Sequence, residues 1–168
     1  MSDPVRQVDQ QAEVCFQCHQ DKRLEMHKVS RHPLEEGIMT CSSCHNPHGS
    51  NGPAQLVRQT VNETCYKCHA EKRGPFLHEH EPVADNCVNC HNPHGTNNEN
   101  MLVMRTPYLC QQCHVSDRHV GNIYGSQGLT DTPGTYLSRT SRMTAAGCSN
   151  CHSQIHGSNH PAGAVFRR

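Results

Sequence analysis

The sequence predicts a mostly irregular, elongated chain with short α-helices and little or no β-structure, built around bound groups rather than an apolar core. Leu, Ile, Val and Phe together supply about 15% of the 168 residues, below the ~20% under which a chain normally cannot pack itself. Mean hydropathy is −0.78, there is no Trp, and aromatic residues make up 4%. The 12 cysteines and 15 histidines stand out against this background. Groups held by these side chains must therefore supply the interior.

The charge balance excludes two classes of partner. Lys and Arg number 15, Asp and Glu number 15, and the formal net charge is zero. A binder of nucleic acid or of an anionic membrane surface would normally carry excess positive charge. No apolar run approaches the ~20 residues that a membrane-spanning helix needs, so we expect no transmembrane helix.

All twelve cysteines fall into six C-x-x-C pairs, and a histidine follows each pair at once. C-x-x-C-H is the attachment signature of c-type haem, in which each cysteine forms a thioether and the histidine binds the iron. The sequence therefore predicts six covalently bound haem c groups. The attachment residues are Cys15, Cys18, Cys41, Cys44, Cys65, Cys68, Cys87, Cys90, Cys110, Cys113, Cys148 and Cys151. The proximal iron ligands are His19, His45, His69, His91, His114 and His152.

The six motifs are of two kinds that alternate along the chain. The first kind lies on a predicted short helix with a charged exit, in residues 9–23, 60–73 and 106–118. Asp9 is the expected N-cap of the first helix, Thr60 and Glu63 have capping-box spacing, and Pro107 lies just inside the third.

The second kind is followed by a tight turn that carries another histidine. Residues 41–50 read C-S-S-C-H-N-P-H-G-S, residues 87–96 read C-V-N-C-H-N-P-H-G-T, and residues 148–158 give an altered copy. Asn-Pro and His-Gly are turn dipeptides that end a helix and turn the next histidine back. One motif of each kind makes a dihaem unit. We interpret residues 1–168 as a single hexahaem domain of three units, at about 9–51, 60–97 and 106–159.

Nine histidines lie outside the motifs, and six irons need six distal ligands. Each unit has one histidine in the turn after its second motif and at least one between its motifs. Alignment of the repeats favours as distal ligands His32, His48, His80, His94, His119 and His156. His27, His78 and His160 are left for the surface or for hydrogen bonds to haem propionates. A methionine could also bind iron, but with nine spare histidines packing is its more usual role.

A turn histidine cannot easily fold back onto its own haem, because a histidine three residues away already holds that haem. We therefore expect it to serve the other haem of its unit. This predicts His48 for the first motif and His32 for the second. The same rule gives, for motifs three to six in order, His94, His80, His156 and His119.

The C-H-N-P-H-G-[S/T] phrase, the stretch 74–83 (G-P-F-L-H-E-H-E-P-V) and the tail 148–163 resemble the MtrA/DmsE decahaem c-type cytochromes. The pentahaem electron donor of periplasmic nitrite reductase is related to them. The resemblance covers nearly the whole chain and implies bis-histidine haems along an extended polypeptide. It also implies a cytochrome that threads an outer-membrane porin or works in the periplasm. That family has ten haem motifs, and this chain has six.

The motifs favour electron transfer between redox proteins over two alternatives. Iron held by two histidines has no open position for a substrate, so we do not expect an enzyme. A multihaem oxidoreductase would need at least one five-coordinate haem, and no acid/base cluster lies beside a motif. Zinc sites could use the C-x-x-C pairs but would not explain the histidine after every pair.

Haem attachment to this motif takes place outside the cytoplasm in bacteria, which predicts a protein in the periplasm or at the outer membrane. Residues 1–14 are polar and lack an apolar stretch, so the expected signal peptide is not in this chain. The expected partners are cytochromes, reductases or quinol-side donors. The resemblance adds an outer-membrane β-barrel porin.

Overall fold

A computed structural model describes residues 11–114, 148–161 and 163–166. The predicted ligand His119 and the expected N-cap Asp9 lie outside these residues. The described α-helices are short, and we label them α1 (residues 11–16), α2 (Gln20–Met26), α3 (Val61–Tyr66), α4 (Glu81–Asp85) and α5 (Tyr108–Gln111). The described 3-10 turns are Cys41–Ser43, Pro53–Gln55, Ala70–Lys72, Cys87–Asn89, Glu99–Met101, Cys148–Asn150 and Gly163–Val165.

The predicted fold class is confirmed by this irregular backbone. Within the described ranges, antiparallel pairing is confined to isolated bridges and no strand forms. Met26, at 8% exposure, is the single buried apolar side chain of the described residues. Large apolar side chains such as Leu24 (72% exposed), Ile38 (75%) and Leu77 (73%) lie at the surface. The polypeptide itself therefore builds no apolar core in the part of the chain that the structure describes.

The chain divides into two compact units. The first comprises Met1–Pro75 with Glu79–Val103, and the second comprises Phe76–His78 with Met104–Arg168. Within the residues described, no helix is both long and apolar enough to cross a membrane.

The first kind of motif interrupts its helix. Thr60 caps α3 as predicted, because its side-chain oxygen accepts a hydrogen bond from the Glu63 N–H at 3.1 Å. The helix then ends at Tyr66, and the N–H of His69 bonds to the carbonyl of Cys65 at 3.0 Å. The predicted helix over 60–73 is therefore a helix, a turn through the motif and a separate 3-10 turn. The reason is that the motif histidine takes non-helical dihedrals, with φ −102° and ψ 48°. Similarly, Pro107 is the N-cap of α5 rather than its first residue.

The second kind of motif is followed by the predicted turn. The Asn46 side chain accepts a bond from the His48 N–H at 3.2 Å and donates one to the Gly49 carbonyl at 2.7 Å. The N–H of Gly49 bonds in turn to the Asn46 carbonyl at 3.0 Å. Asn92 accepts from the His94 N–H in the same way, at 3.1 Å. The asparagine of N-P-H-G thus fixes the conformation in which the turn histidine is presented.

Asn62 ties the two motifs of one dihaem unit together. It lies on α3 at 8% exposure and donates to the carbonyls of Val83 (2.9 Å) and Ala84 (3.0 Å). Its oxygen accepts from the N–H of Cys87 at 2.8 Å, where the next motif begins. These hydrogen bonds stabilise the fold, because a buried amide or backbone group without a partner would have lost its bond to water with no replacement.

Successive repeats are joined by a second kind of contact. Ser30 and Thr96 exchange both backbone bonds, at 3.0 and 2.9 Å, as an antiparallel bridge. Ser30 lies two residues before His32, and Thr96 lies two residues after His94. The bridge therefore brings the segment between the motifs of one repeat against the turn of the next.

The same bridge forms in the second compact unit, where His78 and Ser158 exchange bonds of 2.9 Å in both directions. Both bridges need a glycine beside them. Gly95 has φ +134° and a Cβ there would lie 2.3 Å from the Glu25 carbonyl oxygen. Gly157 also has φ +134°, and its Cβ would lie 2.2 Å from the Phe76 ring. The glycine of H-G-[S/T] is therefore required both by its dihedrals and by the close approach.

Candidate haem-binding site

The cysteine side chains are available for attachment. None of the twelve is in a disulfide, and each is half-buried or exposed. Burial, together with the neighbouring Cys15 sulfur, raises the pKa of the Cys41 thiol to about 11. Cys65 and Cys87 are hydrogen-bonded to each other, which raises the pKa of the Cys65 thiol and lowers the pKa of the Cys87 thiol to about 7. The first cysteines of the two motifs of each of these dihaem units thus lie side by side.

A third pair of cysteines, from the second and third motifs, lies close enough for an electrostatic interaction. Burial is the main cause that raises the pKa of the Cys44 thiol, the Lys67 ammonium lowers it, and the Cys68 sulfur adds a smaller rise. Cys44 belongs to the second motif and Cys68 to the third. Attachment cysteines of motifs one to four therefore lie near cysteines of the next motif along the chain.

Motif histidines of the second kind are oriented by backbone carbonyls. Nδ1 of His45 lies 2.9 Å from the Ala54 oxygen, and Nδ1 of His91 lies 2.8 Å from the Asn100 oxygen. A carbonyl can only accept, so each Nδ1 carries its proton and Nε2 keeps a lone pair for a metal. Such a bond also fixes the ring orientation of a metal ligand.

A left-handed turn presents each of these carbonyls. Ala54 and Gln55 have φ of 50° and 56°, and Val57 closes the loop by donating its N–H to the Cys44 carbonyl at 2.8 Å. Two non-glycine residues in this conformation cost roughly 1–2 kcal/mol each, and such strain is typical of backbone that positions a functional group. The equivalent residues in the second copy are Asn100, Met101, Val103 and Cys90.

The altered third copy keeps this arrangement with a longer loop. Nδ1 of His152 contacts the Val165 carbonyl, and Gln154 donates its N–H to the Phe166 carbonyl at 2.9 Å. The second-motif phrase therefore includes a closing segment beyond the N-P-H-G turn. The sequence analysis gave residues 51–59 and 97–101 no part in the sites and so missed this role. The signal was present, since Leu-Val follows the motif histidine by 11 and 12 residues in both copies.

Two histidine pairs each combine a motif histidine with a predicted distal ligand. The ring centres of His45 and His94 are 6.1 Å apart with planes 13° from parallel. Those of His32 and His69 are 6.2 Å apart with planes at 52°. Because metal–imidazole bonds are about 2 Å long, two rings on opposite sides of one ion have centres about 6 Å apart.

Ordinary packing of aromatic rings also spans such distances, about 4.5–7 Å. The composition of the pairs argues for ligation instead, because both join a C-x-x-C-H histidine to a histidine outside the motifs. His32 is oriented by a bond from its Nδ1 to the Pro93 carbonyl at 2.8 Å. Nδ1 of His94 lies 3.6 Å from the Glu25 carboxylate, and burial lowers the pKa of His94. Both distal rings thus present Nε2.

The pairs differ from the predicted assignment within each dihaem unit. His32 was expected opposite the second motif, but its ring lies against His69 of the third. His94 was expected at the third motif, but its ring lies against His45 of the second. The reason is the Ser30–Thr96 bridge, which joins neighbouring repeats and carries both histidines with it. Sequence spacing alone did not reveal that pairing.

The surroundings fit a haem. Among the described residues, no group of three His, Cys, Asp or Glu side chains could hold a metal ion. A pair of histidines would therefore need further ligands for an iron, and the four nitrogen atoms of a porphyrin would supply them. A cleft of about 1030 Å³ opens beside His45, at the upper end of the ~300–1,000 Å³ usual for cofactors. Arg58, Lys67 and Arg73 line it and could pair with propionates.

Comparison with known proteins agrees with this site. The sequence matches the family described as doubled CXXCH motif over residues 32–74 and 80–119. It is 54% identical over 167 residues to the multiheme cytochrome MtrA of Shewanella baltica (strain OS185). The chain belongs to the multihaem c-type cytochromes with doubled C-x-x-C-H motifs. The match covers 99% of this cytochrome and 49% of that relative, so the chain spans about half the relative's length.

A second relative is the cytochrome c-type protein NrfB of Haemophilus influenzae (strain ATCC 51907 / DSM 11121 / KW20 / Rd). It is 32% identical over 72 residues, which are 42% of this cytochrome and 31% of NrfB. These matches confirm the predicted family and haem c binding through C-x-x-C-H motifs.

Proposed function

We propose that this cytochrome carries six haem c groups and passes electrons along them between redox partner proteins outside the cytoplasm. The six C-x-x-C-H motifs supply the attachment cysteines and the proximal histidines. Iron held by two histidines gains and loses one electron without binding a substrate. The observation that carries the proposal is the pair of ring contacts, His45 with His94 and His32 with His69.

The closeness of cysteines in successive motifs supports transfer between neighbouring groups. Cys15 lies beside Cys41, Cys44 is near Cys68, and Cys65 lies beside Cys87. Groups attached at adjacent points are held close along the chain. The polypeptide contributes the attachment, the axial nitrogen atoms and the bonds to Nδ1 that hold them in place.

The remaining distal ligands are part of the same proposal. His80 lies two residues after the bridging residue His78, as His32 lies two residues after Ser30. His156 lies two residues before the bridging residue Ser158, as His94 lies two residues before Thr96. His48 and His119 are the two further distal ligands that we propose. Because haem attachment to C-x-x-C-H motifs takes place outside the cytoplasm in bacteria, the six motifs support a location in the periplasm or at the outer membrane. Other cytochromes or reductases would be its partners, and a β-barrel porin is a further candidate.

Haem counting and a redox titration test this function. The purified chain should contain six haem c per polypeptide by the pyridine haemochrome assay. A potentiometric titration should show complete, reversible reduction of all six in one-electron steps. A reduced sample should also pass electrons to an oxidised c-type cytochrome. Fewer than six haems, or turnover of a small oxyanion such as nitrite with no electron transfer to a protein, would contradict the proposal.

A further inference from the structure

The first repeat has a docking edge that corresponds to two occupied edges elsewhere in the chain. Thr96 and Ser158 each follow a turn histidine by two residues, and each exchanges two backbone bonds with a segment from another repeat. Ser50 has the same place after His48. Within the described residues, the backbone N–H and carbonyl of Ser50 have no hydrogen-bond partner.

The surroundings of this edge are open as well. Gly49 has φ +114°, close to the values of its counterparts, but no atom lies within 4 Å of where its Cβ would be. At Gly95 and Gly157 the same position is filled by the incoming segment, at 2.3 and 2.2 Å. The edge is therefore built as the others are, with room for an incoming segment.

The register of the bridge says what the incoming segment would do. The segment that docks on Thr96 places His32 against His69. His69 is the first motif histidine of the repeat that contains Thr96. In the first repeat the histidine in that place is His19. The His19 ring is exposed and has no ring or polar contact among the described residues.

The register also says where His48 points. His94 lies against His45. His45 belongs to the same repeat as Ser30, whose segment docks beside His94. By the same offset, His48 serves the second motif of the docked repeat and not a haem of its own repeat. The edge and His19 are two halves of one interface.

Resting on the proposed function for the haems themselves, we propose that residues 48–50 and His19 form a docking site for a further paired C-x-x-C-H unit. The incoming unit supplies an extended segment with a ligating histidine two residues after its bridging residue, and this histidine completes the iron site of His19. In return, His48 completes an iron site of the incoming unit. The occupant follows from continuity with the two bridges already formed, in which Thr96 and Ser158 each hold a segment of another repeat.

The spin state of the ferric haems tests the ligand assignment. The chain as purified should show a high-spin ferric haem by electron paramagnetic resonance, and Cys15→Ser with Cys18→Ser should remove one equivalent of that signal together with one haem. His94→Ala should convert one low-spin haem to high-spin. His48→Ala, the matched change in the same turn, should convert none. A fully low-spin parent, or a loss of one low-spin haem in His48→Ala, would overturn the proposal.

A peptide tests the docking itself. Residues 27–36 with His27→Ala carry the bridging Ser30 and the ligating His32, and can stand in for the incoming segment. This peptide should convert the high-spin haem to low-spin at a concentration at least tenfold below that of free imidazole. The same peptide with Ser30→Pro lacks the N–H of the bridge and should act no better than imidazole. Equal potency of the two peptides would exclude docking at this edge.

These results are separable from the proposed function. A chain that holds six haems and exchanges electrons reversibly would retain that function even if every haem were low-spin. A chain with fewer haems would instead fail the haem count before the spin states are compared.

Discussion

At the scale of single residues, the side chains next to the distal ligands set their chemistry. Glu25 lies 3.6 Å from Nδ1 of His94 and also pairs with Lys22 at 3.1 Å. A carboxylate behind a metal-bound histidine raises its basicity and favours the more highly charged metal. In a bis-histidine haem the more highly charged state is the ferric one. Glu25 should therefore lower the reduction potential of the haem that His94 serves.

Replacing Glu25 with Gln should raise the reduction potential of one haem. The lost carboxylate interaction is on the order of 1 kcal/mol, which corresponds to roughly 40 mV for a one-electron couple. Potentiometric titration followed by visible spectroscopy would measure the shift. Asp21→Asn is the matched control, because Asp21 lies on the same helix and pairs with the same lysine without contacting His94. Equal shifts in the two variants would contradict a specific role for Glu25.

At the scale of elements, the structure is a set of turns that recur with their contacts. The first two second-motif phrases each consist of a 3-10 turn, an Asn-supported turn and a left-handed closing turn. The helices are too short to be stable alone, since isolated helices under ~12–15 residues are marginal in water. Their positions depend on contacts such as Asn62 with Cys87 and on the bridges between repeats. Weakening a bridge should therefore affect haem ligation as well as stability.

Gly95→Ala should destabilise the holoprotein more than Gly49→Ala. Both positions have positive φ, which costs a non-glycine residue about 1–3 kcal/mol. At Gly95 the added Cβ would also lie 2.3 Å from a backbone oxygen, whereas Gly49 has nothing within 4 Å. Denaturant unfolding followed by the haem absorption would compare the two variants.

The Gly95→Ala variant should in addition lose low-spin character at the haems of His45 and His69, because the bridge that brings His94 and His32 to these two histidines is displaced. Gly49→Ala should retain it. Equal destabilisation by the two substitutions would argue that the close approach at Gly95 is unimportant.

At the scale of the whole molecule, the cofactors must provide what the side chains do not. Burial contributes about 25 cal/mol per Å² of apolar surface, and among the described residues Met26 is the one apolar side chain that is buried. Ordering the backbone costs about 1–2 kcal/mol per residue. Exposed apolar side chains such as Val14 (66%) and Tyr108 (54%) are available to cover haem surfaces.

The haem-free polypeptide should therefore not fold. Protein made without haem attachment should show no cooperative thermal transition by circular dichroism, whereas the holoprotein should show one. The holoprotein made in the same strain with the attachment machinery is the control. A cooperative transition in the haem-free chain would show that the polypeptide has a core of its own.

The sequence alone determined the chemistry and the class of fold. Six C-x-x-C-H motifs, a low apolar content and the N-P-H-G turns are local features, since each depends on residues within about ten positions. The Thr60 cap and the turn made by Asn46 followed from the same local rules. Local geometry can be read from spacing because the backbone offers few alternatives over so short a distance.

Tertiary structure decided which histidine faces which motif. His32 and His69 are 37 positions apart and His45 and His94 are 49 apart in the sequence, and both contacts depend on the backbone bridge of Ser30 with Thr96. A backbone bridge can form with any residue in an extended conformation. The repeat pattern in the sequence is therefore equally consistent with histidine pairs within one unit and with pairs between neighbouring units. The closing turns that orient the motif histidines show in the sequence as the repeated Leu-Val. The carbonyl contacts themselves could not be predicted, because every residue type offers the same backbone acceptor.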